Sequence, residues 1–359
     1  MKKIALISII CTFLLAGCWD ERLFKDLTLV PLIGIEGEPG KLTVHYTFTA
    51  VSNGAISYST VEGSGVSMRE SRLDANQKTS EILDVSQLEA ILLSTETVQS
   101  NIIDILDASF RTPRNRLSSR FVVVEGEISP YMEKTEKIPL ELADYYSKLL
   151  ESAILFSVIP DIDIQKASGI IFDDAIDLAL PFVKMSETTG VPEISGVALF
   201  SEKKFTGHTL NKEESIIVQV IQKKPGKYVN FTYTWEKDGK SYPITVVLGR
   251  YKKKWEFSDS KIDATYNMKL AVEEFPYDHL DEDKTRKELE EFLSTELTKD
   301  FNEMIKKIQE AKSDVIGFGR TARAFHPTLW NKGKWQDTFS EIPINVKVQA
   351  EITRTGILN

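Results

Sequence analysis

"QLEAILLSTETVQSNIIDILDASF", residues 87–110, changes its hydrophobic period partway along. The opening "QLEAILLS" carries an unbroken apolar run and reads as a strand, whereas "TETVQSNIIDILDASF" spaces its apolar residues by three and four and reads as an amphipathic helix. The same two signals return downstream. "RFVVVEGEI" (120–128) reads as a strand, and "PLELADYYSKLLESAI" (139–154) reads as a helix with Pro139 near its start. Strands alternating with helices argue for a mixed or parallel sheet under covering helices, which makes the N-terminal part α/β.

Upstream, "LTLVPLIGIE" (27–36) and "KLTVHYTFTAV" (41–51) are β-rich runs joined by the turn signal "GEPG", so they read as paired strands. The Gly- and Ser-rich stretch that follows, "VSNGAISYSTVEGSGVSMRES" (51–71), reads as a long loop. Beyond residue 194 the grammar changes. "KYVNFTYTWEKDGKSYPITVVLGRYKKKWEF" (227–257) alternates apolar and polar residues around the hairpin signal "KDGK", and "KIDATYNMKLAVEEF" (261–275) continues the alternation. From Asp283 to about Glu310, Leu289, Leu293, Leu297, Phe301, Ile305 and Ile308 fall on one helical stripe. A last strand, "IPINVKVQAEITRTG" (342–356), should return to the sheet, giving an antiparallel-sheet domain with one long helix, an α+β unit. Trp235, Trp255 and Tyr233 lie on predicted strands and are assigned to the core. The polar segment Ser186 to Glu193 separates the two grammars, so the expected organisation is 1–17, 18–188 and 194–359.

The first of these segments is an address. Lys2 and Lys3 precede an uncharged apolar run from Ile4 to Ala16, too short for the ~20 residues of a membrane-spanning helix. It ends in Leu15, Ala16, Gly17 and Cys18, a bacterial lipobox: small residues before the cut, then a thiol to take a diacylglyceryl group. Lipid on Cys18 would anchor the mature chain on a membrane. The remaining cysteine, Cys11, leaves with the signal peptide, so no disulfide and no cysteine-ligated metal is expected. Without Lys2 and Lys3 the chain has 42 basic against 53 acidic residues, a net of about −11. Nucleic acid is therefore not an expected partner.

No catalytic pattern emerges. His45, His208, His279 and His326 are scattered, with no H-E-x-x-H or zinc-type spacing. Ser64 lacks the G-x-S-x-G order, phosphate- and dinucleotide-binding glycine patterns are absent, and a calcium-loop reading from Asp281 fails at Arg286 and Phe292. The expectation is no enzyme, no cofactor and no metal. One stretch stands out, "AKSDVIGFGRTARAFHPTLWNKGKW" (311–335), which gathers Asp314, Gly317, Phe318, Gly319, Arg320, Arg323, His326, Pro327, Trp330 and Trp335. The plain account is a helix exit with aromatics plugging the domain floor. The functional account is a partner interface, since Arg and Trp dominate interfaces when desolvated.

Taken together, "GCWDERLF" (17–24), "GVALF" (196–200), "FTGHTLNKEES" (205–215), "SDVIGFGRTARAFHPTLWNKGKWQDTF" (313–339) and "VKVQAEITRTG" (346–356) resemble the Ger(x)C family, the lipoprotein C subunits of spore nutrient germinant receptors. The resemblance runs over essentially the whole chain. It implies a multidomain α/β lipoprotein on the outer leaflet of the spore inner membrane, assembled with two integral membrane subunits, and it implies no catalytic residues. Whether such a subunit touches the nutrient stays open at this level. A solute-binding lipoprotein that captures a small nutrient between its halves is the alternative, although such proteins alternate β and α units in both halves and the second half here does not.

Overall fold

The computed structural model describes residues 27–355 apart from 53–54, 112–115, 134, 136, 139 and 278. The expected signal sequence and Cys18, the expected lipidation site, lie outside the described residues.

In sequence order the first ten strands are β1 (Leu27–Leu29), β2 (Leu32–Glu38), β3 (Lys41–Ser52), β4 (Ala55–Gly65), β5 (Ile82–Asp84), β6 (Ala90–Ser94), β7 (Arg120–Val124), β8 (Ala179–Met185), β9 (Pro192–Ser201) and β10 (Lys204–Leu210). β1 and β5 form a small parallel pair, and the other eight form one mixed sheet in the order β10-β9-β8-β7-β6-β2-β3-β4. Its centre, β2, β6, β7 and β8, is parallel, as the alternation of elements requires. Each flank is an antiparallel hairpin pair. Parallel strands covered on both faces should be apolar throughout. β6 is buried at every position, and its side chains alternate between two cores. Ala90 and Leu92 join Val122 and Val124 in one; Ile91 and Leu93 join Phe121 and Val123 in the other.

Helices supply the two coats. The second core is closed by α1 (Met68–Asn76), α2 (Ile102–Arg111) and, further along the chain, α4 (Ile164–Ile171); the first is closed by α3 (Leu142–Leu155) and α5 (Lys212–Gln222). α2 starts later than its sequence period suggests because a 3₁₀ turn, Thr97–Gln99, intervenes and the Asn101 side chain accepts from Ile103 N–H at 3.0 Å.

One expectation needs revision. The stretch 51–71 is not a long loop: most of it is the end of β3, β4 and the start of α1. Its glycines serve close approach. A Cβ on Gly63 would lie 2.0 Å from Ser71 O, and one on Gly65 would lie 2.6 Å from Ser71 N, so only glycine lets α1 lie on β4. The segment Ser186 to Glu193, expected between domains, is a hairpin between adjacent strands of one sheet. Met185 pairs with Pro192, and Ser186 N–H donates to Val191 O at 2.9 Å. β9 and β10 therefore complete the sheet begun by the N-terminal half.

The C-terminal sheet has the order β11-β12-β13-β14, with β11 (Asn230–Lys237), β12 (Lys240–Phe257), β13 (Ile262–Glu274) and β14 (Ile344–Arg354). Asp238 and Gly239, both at positive φ, make the two-residue turn between β11 and β12 that the sequence signals. β14 runs parallel to β13, and the connection includes α6 (Asp283–Glu310), α7 (Phe318–Phe325) and α8 (Trp335–Glu341). The six stripe residues of α6 are all buried. A second stripe, Glu290, Ser294, Thr298 and Asn302, turns to the outer edge of β14. There it accepts from Ile352, Ala350, Val348 and Val346 N–H at 2.7, 2.9, 3.0 and 2.9 Å. Asn302 Nδ2 also donates to Val346 O at 2.8 Å. A helix thus takes the place of a neighbouring strand. The first core continues without a break into this sheet through Phe231, Trp235, Tyr266 and the buried stripe of α6.

Candidate functional site at the seam of the two sheets

The segment after α6 enters the interior. Asp314 is fully buried, and its carboxylate accepts four hydrogen bonds: from Gly317 N–H (2.8 Å) and Phe318 N–H (3.1 Å) on one oxygen, from Gly319 N–H (2.7 Å) and the Trp335 indole (2.9 Å) on the other. Three of these donors are the otherwise orphaned backbone amides at the start of α7, so Asp314 caps the helix. Gly317 sits at φ +83 to make the turn, and a Cβ on Gly319 would lie 2.5 Å from the Trp335 indole nitrogen and 2.7 Å from Ala175 O. Both glycines are therefore fixed by geometry.

Facing Asp314 is Asp177, carried on the approach to β8 and 7% exposed. Asp177 N–H donates to Asp314 O at 3.0 Å, and Asp314 N–H returns a bond to Asp177 Oδ2 at 2.9 Å. Glu202 N–H reaches Asp177 Oδ1 at 3.3 Å. Burial, and then the neighbouring Asp314, push the Asp177 carboxyl up to about 7. Burial also pushes Asp314 up. The four donors around Asp314 favour its ionised form, so of the two it is Asp177 that takes up a proton first.

Outside this pair lies a clamp. Arg320 Nε and Arg323 donate to the two oxygens of Asp173 at 2.7 and 2.8 Å. Burial pushes Asp173 up, but the bonds from Arg320, from Ala175 N–H and from Arg323 outweigh it and hold the carboxyl below its usual range. Arg323 also lies over the Trp330 ring, which stacks on Trp335 at 5.6 Å. Phe318 packs on Trp255 at 4.7 Å and His326 on Phe257 at 4.9 Å, fastening the same segment to β12. Ser201 Oγ donates to Lys312 O at 2.7 Å, tying in β9.

The sequence-selected cluster is thus brought together and then divided. Asp314, Gly317, Phe318, Gly319 and Trp335 are buried and meet partners within the same chain. Arg320, Arg323, His326, Pro327 and Trp330 form its accessible rim. Trp235 belongs to the core, and Tyr233 and Trp255 pack against it. Asp173 and Asp177 lie outside the residues that the sequence selects; the available signal is three acids in "FDDAIDLAL" (172–180), where Asp177 interrupts an apolar run. Beside Asp177 a cleft of about 680 Å³ opens, lined among others by Asp174, Glu202, Lys203, Trp330 and Gln336.

His45 lies between Glu36 (2.9 Å) and Glu62 (3.4 Å), and among the described residues no three His, Cys, Asp or Glu side chains are grouped to hold a metal. Among the described residues no helix is long and apolar enough to cross a membrane. What the geometry does is couple two carboxylates on the approach to β8, Asp173 and Asp177, to the Asp314 turn and the helix after it in the C-terminal half.

A protein whose two halves are joined in this way matches two family models that meet at the β8–β9 hairpin. The spore germination protein N-terminal domain covers residues 20–185, and the "Spore germination B3/ GerAC like, C-terminal" domain covers 195–356. The chain belongs to the Ger(x)C family of spore germination proteins. It is 24% identical to spore germination protein GerQC of Bacillus cereus, over 99% of both chains. It is 23% identical to spore germination protein KC of Bacillus subtilis, over 99% of this chain and 96% of that one. The crystal structure of the GerBC protein shares the fold, with a TM-score of 0.57 at 18% identity over 90% of this chain and 97% of that one.

Proposed function

We propose that this chain is the lipid-anchored subunit of a spore nutrient germinant receptor, held on the outer leaflet of the spore inner membrane through Cys18 and assembled with two integral membrane subunits. The observation that carries the reading is the family match along both halves, joined to a lipobox at the start of the chain. Its role is assembly or signalling, without catalysis. The accessible rim, Arg320, Arg323, Pro327 and Trp330, is the surface offered to the membrane subunits, with the buried Asp314, Phe318, Gly319 and Trp335 holding it rigid, which lowers the ordering cost of binding. Co-purification from spore membranes with the tagged chain tests the assembly: recovery of two polytopic membrane proteins is expected, and recovery of the chain alone refutes it. Mass spectrometry of the mature N-terminus tests the anchor. Cys18 is expected to carry diacylglyceryl, and Cys18→Ala to abolish stable membrane attachment, since two acyl chains give the stable anchoring that a single chain does not.

A second reading, capture of a small polar solute, is favoured by the cleft beside Asp177 and Trp330. A thermal shift with amino acids or sugars that disappears in Trp330→Ala would support it.

A further inference from the structure

Away from the seam, the loop after α5 reads "KKPGKY" (223–228) and places Lys223, Lys224 and Lys227 at the surface. Lys223 and Lys224 have a plain role as cations at a helix C-terminus. Lys223 is at φ +63 and its N–H donates to Val220 O, while Lys224 N–H donates to Gln219 O at 2.9 Å. That role does not extend to what surrounds them. Phe156 and Tyr228, 47% and 37% exposed, lie with ring centroids 5.3 Å apart, beside Leu155 at 40%. Lys227 stands over the Tyr228 ring at 5.1 Å.

The patch is built, not frayed. Tyr228 N–H donates to Leu155 O at 2.9 Å; Ser157, itself buried, donates to Tyr228 O at 2.8 Å and accepts from Gly226 N–H at 2.9 Å. A Cβ on Gly226 would lie 2.0 Å from Ile154 O, so the loop is pressed onto the end of α3. Among the described residues none of the three lysines is ion-paired to a carboxylate, in a chain of net charge −9. The local field is felt by Lys253, whose ammonium is pushed down to about 8 by burial and then by Lys223 and Lys224.

We infer that Leu155, Phe156, Lys223, Lys224, Lys227 and Tyr228 form a second membrane contact, in which the lysines meet anionic lipid headgroups and the exposed rings enter the interfacial layer. Lysines without counter-charges beside amphipathic aromatics match what that layer favours, and an acidic chain otherwise stays off it. The inference rests on the membrane-anchored reading above and adds orientation to it: a lipid at Cys18 tethers, whereas this patch decides which side faces the bilayer.

The test uses the mature lipoprotein reconstituted on phosphatidylcholine vesicles, with and without phosphatidylglycerol, followed by amine acylation and mass spectrometry of each lysine. On the anionic vesicles acylation of Lys224 and of Lys227 is each expected to fall about fivefold, the factor for one lysine held at the surface, and to recover in high salt. Equal acylation on both vesicles, with the protein still bound, overturns the patch and leaves the anchor standing. Loss from the neutral vesicles with protection on the anionic ones overturns the anchor and supports the patch. Protection seen only in native spore membranes, and on neither vesicle, assigns the lysines to an acidic protein partner and overturns the inference.

Discussion

The eight-stranded and four-stranded sheets solve the problem of having faces and edges in opposite ways. In the first, the central strands bury both faces, and their sequences are near-continuous apolar runs such as Phe121 to Val124. In the second, β13 and β14 alternate buried and exposed residues, because only one face meets the core. The first extends its parallel centre with hairpins, one of which belongs to the C-terminal half. The second closes one edge with side chains of α6. The lesson is that the family's two sequence halves are not two structural halves: one sheet borrows strands across the boundary, and the seam residues lie where that borrowing ends.

Cutting the chain is the largest challenge to this view. Expressed alone, 19–188 is expected to lack a cooperative thermal transition, since it loses β9, β10 and the C-terminal share of the first core. Separate cooperative transitions from 19–188 and 194–359 would show instead that the sheets are autonomous. Next comes Asp314→Ala, which strands four buried donors and is expected to cost about 4 kcal/mol in denaturant unfolding. A loss below about 1 kcal/mol would mean the seam is not a stabilising contact.

Asp177 gives a pH signature. Its folded carboxyl titrates at about 7 against 3.8 in a free side chain, so the folded state holds the proton longer. Stability from this group is therefore full below about pH 4, falls as pH rises toward 7 and is flat above. The total is about 4 kcal/mol as an order of magnitude. Relative to wild type, Asp177→Asn should gain stability across that window in pH-resolved melts; parallel pH curves would remove the assignment of the proton to Asp177. Arg320→Ala with Arg323→Ala leaves Asp173 unpaired and is expected to cost about 2 kcal/mol, discounted for the partial exposure of both arginines. If stability is unchanged while co-purification of membrane subunits is lost, the arginines serve partners more than the seam. Smallest is Ser294→Ala, about 1 kcal/mol through the unsatisfied Ala350 amide, readable by faster amide exchange at that position.

Much of this architecture was legible in the sequence because long periodic segments report their own burial. Residues 283–310 form one helix with its six stripe residues buried, and "KDGK" is a two-residue hairpin turn. Glycine and serine misled where they served contact: in 51–71 they read as loop chemistry, yet Gly63 and Gly65 exist so that backbones can touch. Sheet membership across Ser186 to Glu193 was invisible because a polar turn inside a sheet and a linker between domains have the same composition. In the site, the clustering of Asp314 with its glycines and tryptophans was visible from local spacing. Asp173 and Asp177 were not, because their partners lie 147 and 137 residues away.

The polar stripe of α6 has a bearing on how the chain matures. β14 occupies a slot whose two walls, β13 and the helix, both present hydrogen-bonding groups. Neither wall is satisfied until the slot is filled, and the filling strand follows the helix and β13 in the chain. A chain terminated before Ile344 would carry a finished helix and an open trough lined with donors and acceptors. Closure of this half therefore waits for β14, and a stop before it exposes a binding slot for any extended polypeptide nearby.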